Sequence, residues 1–154
     1  MSSLKKIILA LLIVFVASQF IQPARNKSKQ LLATDFVSLY PVPDSVQTIL
    51  QNACYDCHSN NTSYPWYVNI QPMGWIMKRH IDNGKAKLNF SEFGIYSNRR
   101  RVSKLKEISN QIKDDEMPIT SYRTMHKNAN LTTEEKVLVM NWINKITDSL
   151  SINN

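Results

Sequence analysis

Two thiols three residues apart, with an imidazole directly after the second, stand in Cys54-Tyr55-Asp56-Cys57-His58. Thiols at this spacing can each add to one vinyl group of a haem, and the adjoining imidazole can then ligate its iron. The pattern reads as c-type haem attachment, with Cys54 and Cys57 as thioether sites and His58 as the proximal ligand. They are the only cysteines in the 154 residues, so no thiol is left for a structural disulfide. Two other uses of these atoms compete. A redox dithiol usually follows a buried strand in a βαβ pattern, and no such pattern precedes Cys54. A structural zinc centre needs four ligands. Cys54, Cys57, His80 and His126 would supply them only with gaps far wider than in small zinc modules, and His58 would be left without a role.

The second axial position of the iron decides function more than the fold does. Met117-Pro118 leads, because proline restricts the preceding backbone to extended conformations from which a thioether can project. A neutral sulfur raises the potential relative to a second imidazole. Met73, Met77 and Met140 read as packing residues within helical runs, whereas Met125, beside His126, is a rival. His80 and His126 are the imidazole rivals. His80 could equally be a core residue, and His126, four positions after Tyr122, could equally give polar support to a ligand or propionate.

The elements that must position these groups read as helical. Asp44 and Gln47 make a capping-box pattern before Val46, Ile49, Leu50 and Ala53, one apolar face leading into Cys54. Tyr64-Pro65-Trp66-Tyr67 is an aromatic group too dense to leave exposed, with the macrocycle or an ordinary core as its partner. Pro72 opens a helix carrying Met73, Ile76, Met77 and His80 near one side and ending around Asn83-Gly84. Val102, Leu105, Ile108 and Ile112 recur at helical spacing from 101 to 113. In the last helix Thr132 caps, Glu135 sits three later, and Leu138, Val139, Trp142, Ile143 and Ile146 form a buried stripe. No long strand is evident.

Lys5 and Lys6 precede an apolar run, and residues 4–21 would reach about 27 Å as a helix. The run reads as an uncleaved signal-anchor, with cleavage after Val16-Ala17-Ser18 as the alternative. The expected layout is a membrane segment over 1–24, a tether over 25–41 and a domain over 42–150. The domain would then face the periplasm from the cytoplasmic membrane, or be soluble there after cleavage. Five of the 19 Lys and Arg residues lie in the first thirty positions. Beyond them the net charge is only +2, which offers no nucleic-acid footprint.

The ordered set Val42-Pro43, Val46, Ile49-Leu50, Cys54 to His58 with Ser59-Asn60, Tyr64-Pro65-Trp66, Pro72, Trp75, His80, Gly84 and Leu88-Asn89-Phe90-Ser91-Glu92-Phe93 resembles the small bacterial haem-binding domain family related to cytochromes c. The resemblance continues through Glu116-Met117-Pro118, Tyr122, His126, Ala129, Leu131-Thr132, Glu135 and Trp142. It implies a mostly α, cytochrome c-like single domain wrapped around one covalently attached haem c. It also implies Cys54, Cys57 and His58 as attachment and proximal residues, Met117 as distal ligand, and an amino-terminal membrane anchor. One departure stands beside Met117: Asp115 occupies a position where the family-like stretch carries glycine. The function expected is single-electron transfer with periplasmic or membrane redox proteins. A haem-based peroxidase or small-ligand sensor with an open or displaceable distal site is the first alternative, and a structural or haem-handling module the second.

Overall fold

The computed structural model describes residues 2–28 and 30–152. Among them the chain is mostly α, in one domain: α1 (Ser3–Ser18), α2 (Phe36–Leu39), α3 (Asp44–Ala53), α4 (Tyr55–His58), α5 (Met73–Lys87), α6 (Asn98–Lys113), α7 (Thr120–Met125) and α8 (Thr133–Ile152). Three short 3-10 turns, Trp66–Asn69, Phe90–Ile95 and Lys127–Ala129, join them. The extended pairing described is a single antiparallel bridge between Lys27 and Asn61.

Two apolar clusters form the interior. The larger gathers the inner faces of α3, α6 and α8 around Phe36, which is fully buried and makes ring contacts with Tyr40, Phe90, Phe93 and Trp142. The smaller joins Ala53, Val68, Met77, Ile81, Tyr122 and Ala129. Cys54 and Leu131 pack against both. The first of the two thiols therefore lies on the seam between the two cores.

Local chemistry explains most boundaries. In α8 the capping box forms as expected: Glu135 N–H donates to Thr132 Oγ1 at 3.2 Å and Thr132 N–H to Glu135 Oε2 at 2.8 Å. Val139, Ile143 and Ile146 are buried below it, whereas Leu138 faces outward. In α3 the expected face of Val46, Ile49, Leu50 and Ala53 is buried, but Asp44 is already inside the first turn and Pro43 takes the cap position without a side-chain bond. Asp44 there still complements the helix dipole. α5 continues to Lys87, past Asn83-Gly84. A Cβ at Gly84 would lie 2.5 Å from the Cys57 carbonyl oxygen, so this glycine serves close packing of α5 on α4 and does not end the helix.

The membrane expectation is corrected. α1 has 16 residues, about 24 Å of helix, against the roughly 20 residues that a hydrocarbon core requires. None of the described helices is long and apolar enough to cross a membrane. The helix stops where polar side chains capture its last turn: Ser18 Oγ and Gln19 Nε2 both donate to Phe15 O, at 2.6 and 2.9 Å. Beyond it, the chain is bonded to protein. Gln71 N–H donates to Gln19 Oε1 at 2.9 Å, Gln22 Nε2 to Asn69 O at 3.1 Å, and Trp75 Nε1 to Ile21 O at 2.9 Å. The transmembrane segment, the cytoplasmic membrane as partner and the anchored location all fall with this finding. Leu4, Ile7, Ile8 and Leu11 to Val16 nonetheless stand exposed along α1.

Candidate haem-attachment site

Cys54 closes α3, its N–H donating to Leu50 O at 2.9 Å, and its φ of −125° breaks the helix. The chain then makes one helical turn, α4, closed by Cys57 and His58 N–H groups on Cys54 O at 3.2 and 3.0 Å. This turn carries both thiols and the imidazole. No disulfide joins the thiols, and both are half-buried. Burial pushes Cys54 up to about 12, helped by neighbouring Cys57, and Cys57 up to about 11, helped by Asp56. A redox dithiol needs the opposite shift, toward a thiolate at neutral pH.

The His58 ring is oriented by backbone. Its Nδ1 lies 3.0 Å from Leu88 O, and only a protonated Nδ1 can bond a carbonyl, so the Nε2 lone pair is the one left free. Burial holds the imidazole below its ordinary pKa, partly offset by the carbonyls of Leu88 and Gly84. A neutral ring with Nδ1–H on a carbonyl and Nε2 free is the tautomer that a metal-ligating histidine adopts. Phe90 meets the ring edge-on at 6.3 Å and stacks on Tyr55 at 5.0 Å.

The block 88–93 cradles this side of the turn. Asn60 N–H donates to Ser91 Oγ at 3.1 Å, Asn60 Nδ2 to Glu92 Oε1 at 3.0 Å, and Asn89 Nδ2 to Asn60 Oδ1 at 3.0 Å. Asn26 closes the other flank. Its Nδ2 reaches Ser59 O at 2.8 Å and Thr62 Oγ1 at 2.9 Å, and its Oδ1 accepts from Lys85 Nζ at 2.8 Å. Neither the Leu88 carbonyl nor Asn26 was assigned a role from sequence. The first is backbone and leaves no compositional sign; the second sits in the stretch read as a tether.

A cavity of about 260 Å³ borders the turn at Asp56 and is lined also by Ser63, Tyr122, His126 and Lys127 among others. Asp56 Oδ1 accepts Ser63 N–H at 2.8 Å and Oδ2 accepts the Tyr122 hydroxyl at 2.7 Å. Burial and this bond raise the Tyr122 pKa, so the hydroxyl stays a donor. Tyr122 stacks on His126 with centroids 3.9 Å apart. His126 Nδ1 lies 3.1 Å from Tyr122 O and its Nε2 3.2 Å from the Tyr67 hydroxyl. Both its nitrogens are engaged. As an iron ligand His126 would have to give up one of these bonds.

Met117 sits between α6 and α7, 37% exposed, while Pro118 beside it is buried. The substitution of aspartate for glycine at 115 has a direct reading. Asp115 adopts φ 59°, the left-handed conformation that glycine takes freely and that aspartate tolerates better than most residues. Lys136 Nζ at 2.5 Å and Arg123 Nη1 at 3.7 Å pair with its carboxylate. Met125 is half exposed, and His80 is half-buried on α5 one turn before Gly84. Trp66 is 75% exposed, contrary to the expectation for the aromatic group, because the 3-10 turn Trp66–Asn69 turns Val68 inward instead.

Among the described residues no group of three or more His, Cys, Asp or Glu side chains can hold a metal ion. The zinc reading is excluded by this, and metal binding by side chains alone is corrected with it. A metal carried in by a porphyrin needs only axial ligands, and for that the free Nε2 of His58 beside two protonated, unpaired thiols is a fitting donor set. Residues 13–145 match the haem-binding domain family. The chain belongs to that family. The match takes in the end of α1 from Ile13 and the stretch that laces Asn26 to the turn at 54–58, as well as the cradle and the Met117 loop. No curated protein and no solved structure matches the chain.

Proposed function

We propose that this haem-binding domain holds one haem c through thioethers at Cys54 and Cys57, with His58 Nε2 as proximal ligand and Met117 as a displaceable ligand opposite. Its function is then that of a haem-based sensor of small ligands. The observation that carries the reading is the His58 ring, half-buried, neutral and bonded through Nδ1 to Leu88 O, with Nε2 unspent. A haem held there would supply a one-electron iron couple and an exchangeable axial position.

The chain's own residues argue for exchange over peroxidase chemistry. A peroxidase needs free acid–base and cationic groups on the distal side. Here both nitrogens of His126 are bonded, and Arg123 is paired with Asp115. Met117, by contrast, is carried on a partly exposed loop whose ion pairs face solvent, the kind of segment that opens at low cost. Single-electron transfer is the second reading, favoured by the same thioether, since iron saturated by Met117 exchanges electrons without binding substrate.

Haem attachment is tested first. Protein matured with the attachment machinery should retain haem on a denaturing gel, and Cys54→Ala with Cys57→Ala should lose it entirely. Oxidised and reduced spectra of Met117→Ala, His80→Ala and His126→Ala then locate the sixth ligand. Loss of the sulfur-to-iron band only in Met117→Ala, with carbon monoxide binding in the reduced wild type, fits the sensor. Refusal of every added ligand by the wild type moves the assignment to the electron carrier.

A further inference from the structure

The segment carrying Met117 is tied back to the attachment turn through a side-chain bond that the proposed ligand set does not use. Tyr122, buried in α7 five residues after Met117, donates its hydroxyl to Asp56 Oδ2 at 2.7 Å. Asp56 lies between the two attachment cysteines. It cannot follow Tyr122 outward, because its other oxygen accepts Ser63 N–H at 2.8 Å and its backbone carbonyl accepts Thr62 Oγ1 at 2.7 Å. The far end is equally braced: the Tyr122 ring stacks on His126, whose Nε2 meets the Tyr67 hydroxyl.

On the Met117 side of α7 the fastenings are of another kind. The turn at 114–117 returns to α6 through Glu116 and Met117 N–H groups on Gln111 O, at 3.0 and 3.1 Å, and to α8 and α7 through the ion pairs of Asp115. These hold the loop to its helices; toward the attachment turn, Ile119 and the Tyr122 ring pack in the apolar cluster that Cys54 borders, and the Tyr122 hydroxyl adds a directed bond to the turn itself. We propose that Tyr122 is a positioning residue, which through Asp56 fixes the Met117 segment relative to the Cys54 to His58 turn and so sets how readily external ligands displace the thioether. This rests on the haem reading given above. The role proposed for Tyr122 is one of geometry, exerted through Asp56.

The test is Tyr122→Phe in the full, haem-loaded chain, titrated in the ferric state with imidazole. Phenylalanine keeps the ring, its burial and its stack on His126, and removes one bond to a carboxylate. Imidazole affinity should rise about tenfold, the amount a single charge-assisted hydrogen bond commands, and the sulfur-to-iron band should weaken in proportion. Thr34→Val serves as control, since it deletes a side-chain bond of similar length, though to a neutral acceptor, Thr34 Oγ1 to Ser91 O at 2.9 Å, on the other side of the attachment turn. Tyr122→Phe within twofold of wild type, or an equal rise in Thr34→Val, would overturn the positioning role. A wild-type protein lacking thioether-bound haem would instead overturn the reading beneath it.

Discussion

The two sides of the attachment turn are built differently. On the His58 side, Leu88, Asn89, Phe90, Ser91 and Phe93 are all buried, and backbone, amide and hydroxyl groups meet in short bonds around a fixed imidazole. On the Met117 side, residues 113–117 are exposed, and the loop is pinned by ion pairs at Asp115 in a left-handed turn. Burial makes the first side expensive to disturb, while solvent makes the second cheap. That asymmetry is what the proposed function calls for, one side to keep a cofactor and the other to exchange a ligand.

The comparison breaks most sharply at Phe90. It is 1% exposed and touches Phe36, Tyr55 and His58, so Phe90→Ala should cost about 3–5 kcal/mol in urea unfolding of the haem-free chain. Met125→Ala, at half exposure on the other side, should stay within about 0.5 kcal/mol. If the two losses were alike, the asymmetry would be false. Next comes Asn60→Ala, which removes an acceptor for Asn89 and a donor to Glu92 and should cost about 1–2 kcal/mol in the same measurement. An unchanged midpoint would mean that the cradle is not cooperative.

The smallest effect concerns Asp115. Its bond to Lys136, then the charges of Lys136 and Arg123, hold its carboxyl below the ordinary range. The unfolded chain therefore binds the proton more readily, so the contribution is present above about pH 4 and fades as the pH falls through the folded value. Thermal midpoints of wild type and Asp115→Asn should differ slightly at neutral pH and converge in acid. Because the group is exposed, added salt should shrink the neutral-pH difference. A gap that widens in acid would refute the assigned pairing.

What the sequence disclosed depends on whether side chains or backbone carry the information. The α8 capping box and the α3 face were legible because Thr132, Glu135 and the apolar spacing are themselves the cause. Gly84 misled, since a glycine near a helix end reads as a stop until the partner helix is known; only the Cys57 carbonyl beside it shows the other use. The 16-residue limit of α1 was hidden because hydropathy continues through Phe20 and Ile21, whereas the stop depends on Ser18 and Gln19 reaching back to one carbonyl. Cys54, Cys57 and His58 were legible as a motif. Their support was not, because the decisive acceptor for His58 is the Leu88 carbonyl, which any residue at that position could provide.

Asn26 gives the site a topological property. Its side chain joins Ser59, Thr62 and Lys85, and Ser28 N–H adds a bond to Asn60 O at 2.7 Å, so a strand-like strap from far upstream is buckled across the loop that leaves the attachment turn. A chain trimmed to begin at residue 31 would keep each thiol, imidazole and thioether and still be an unbuckled version of this domain. Asn26 thus braces the turn from 28 positions before Cys54.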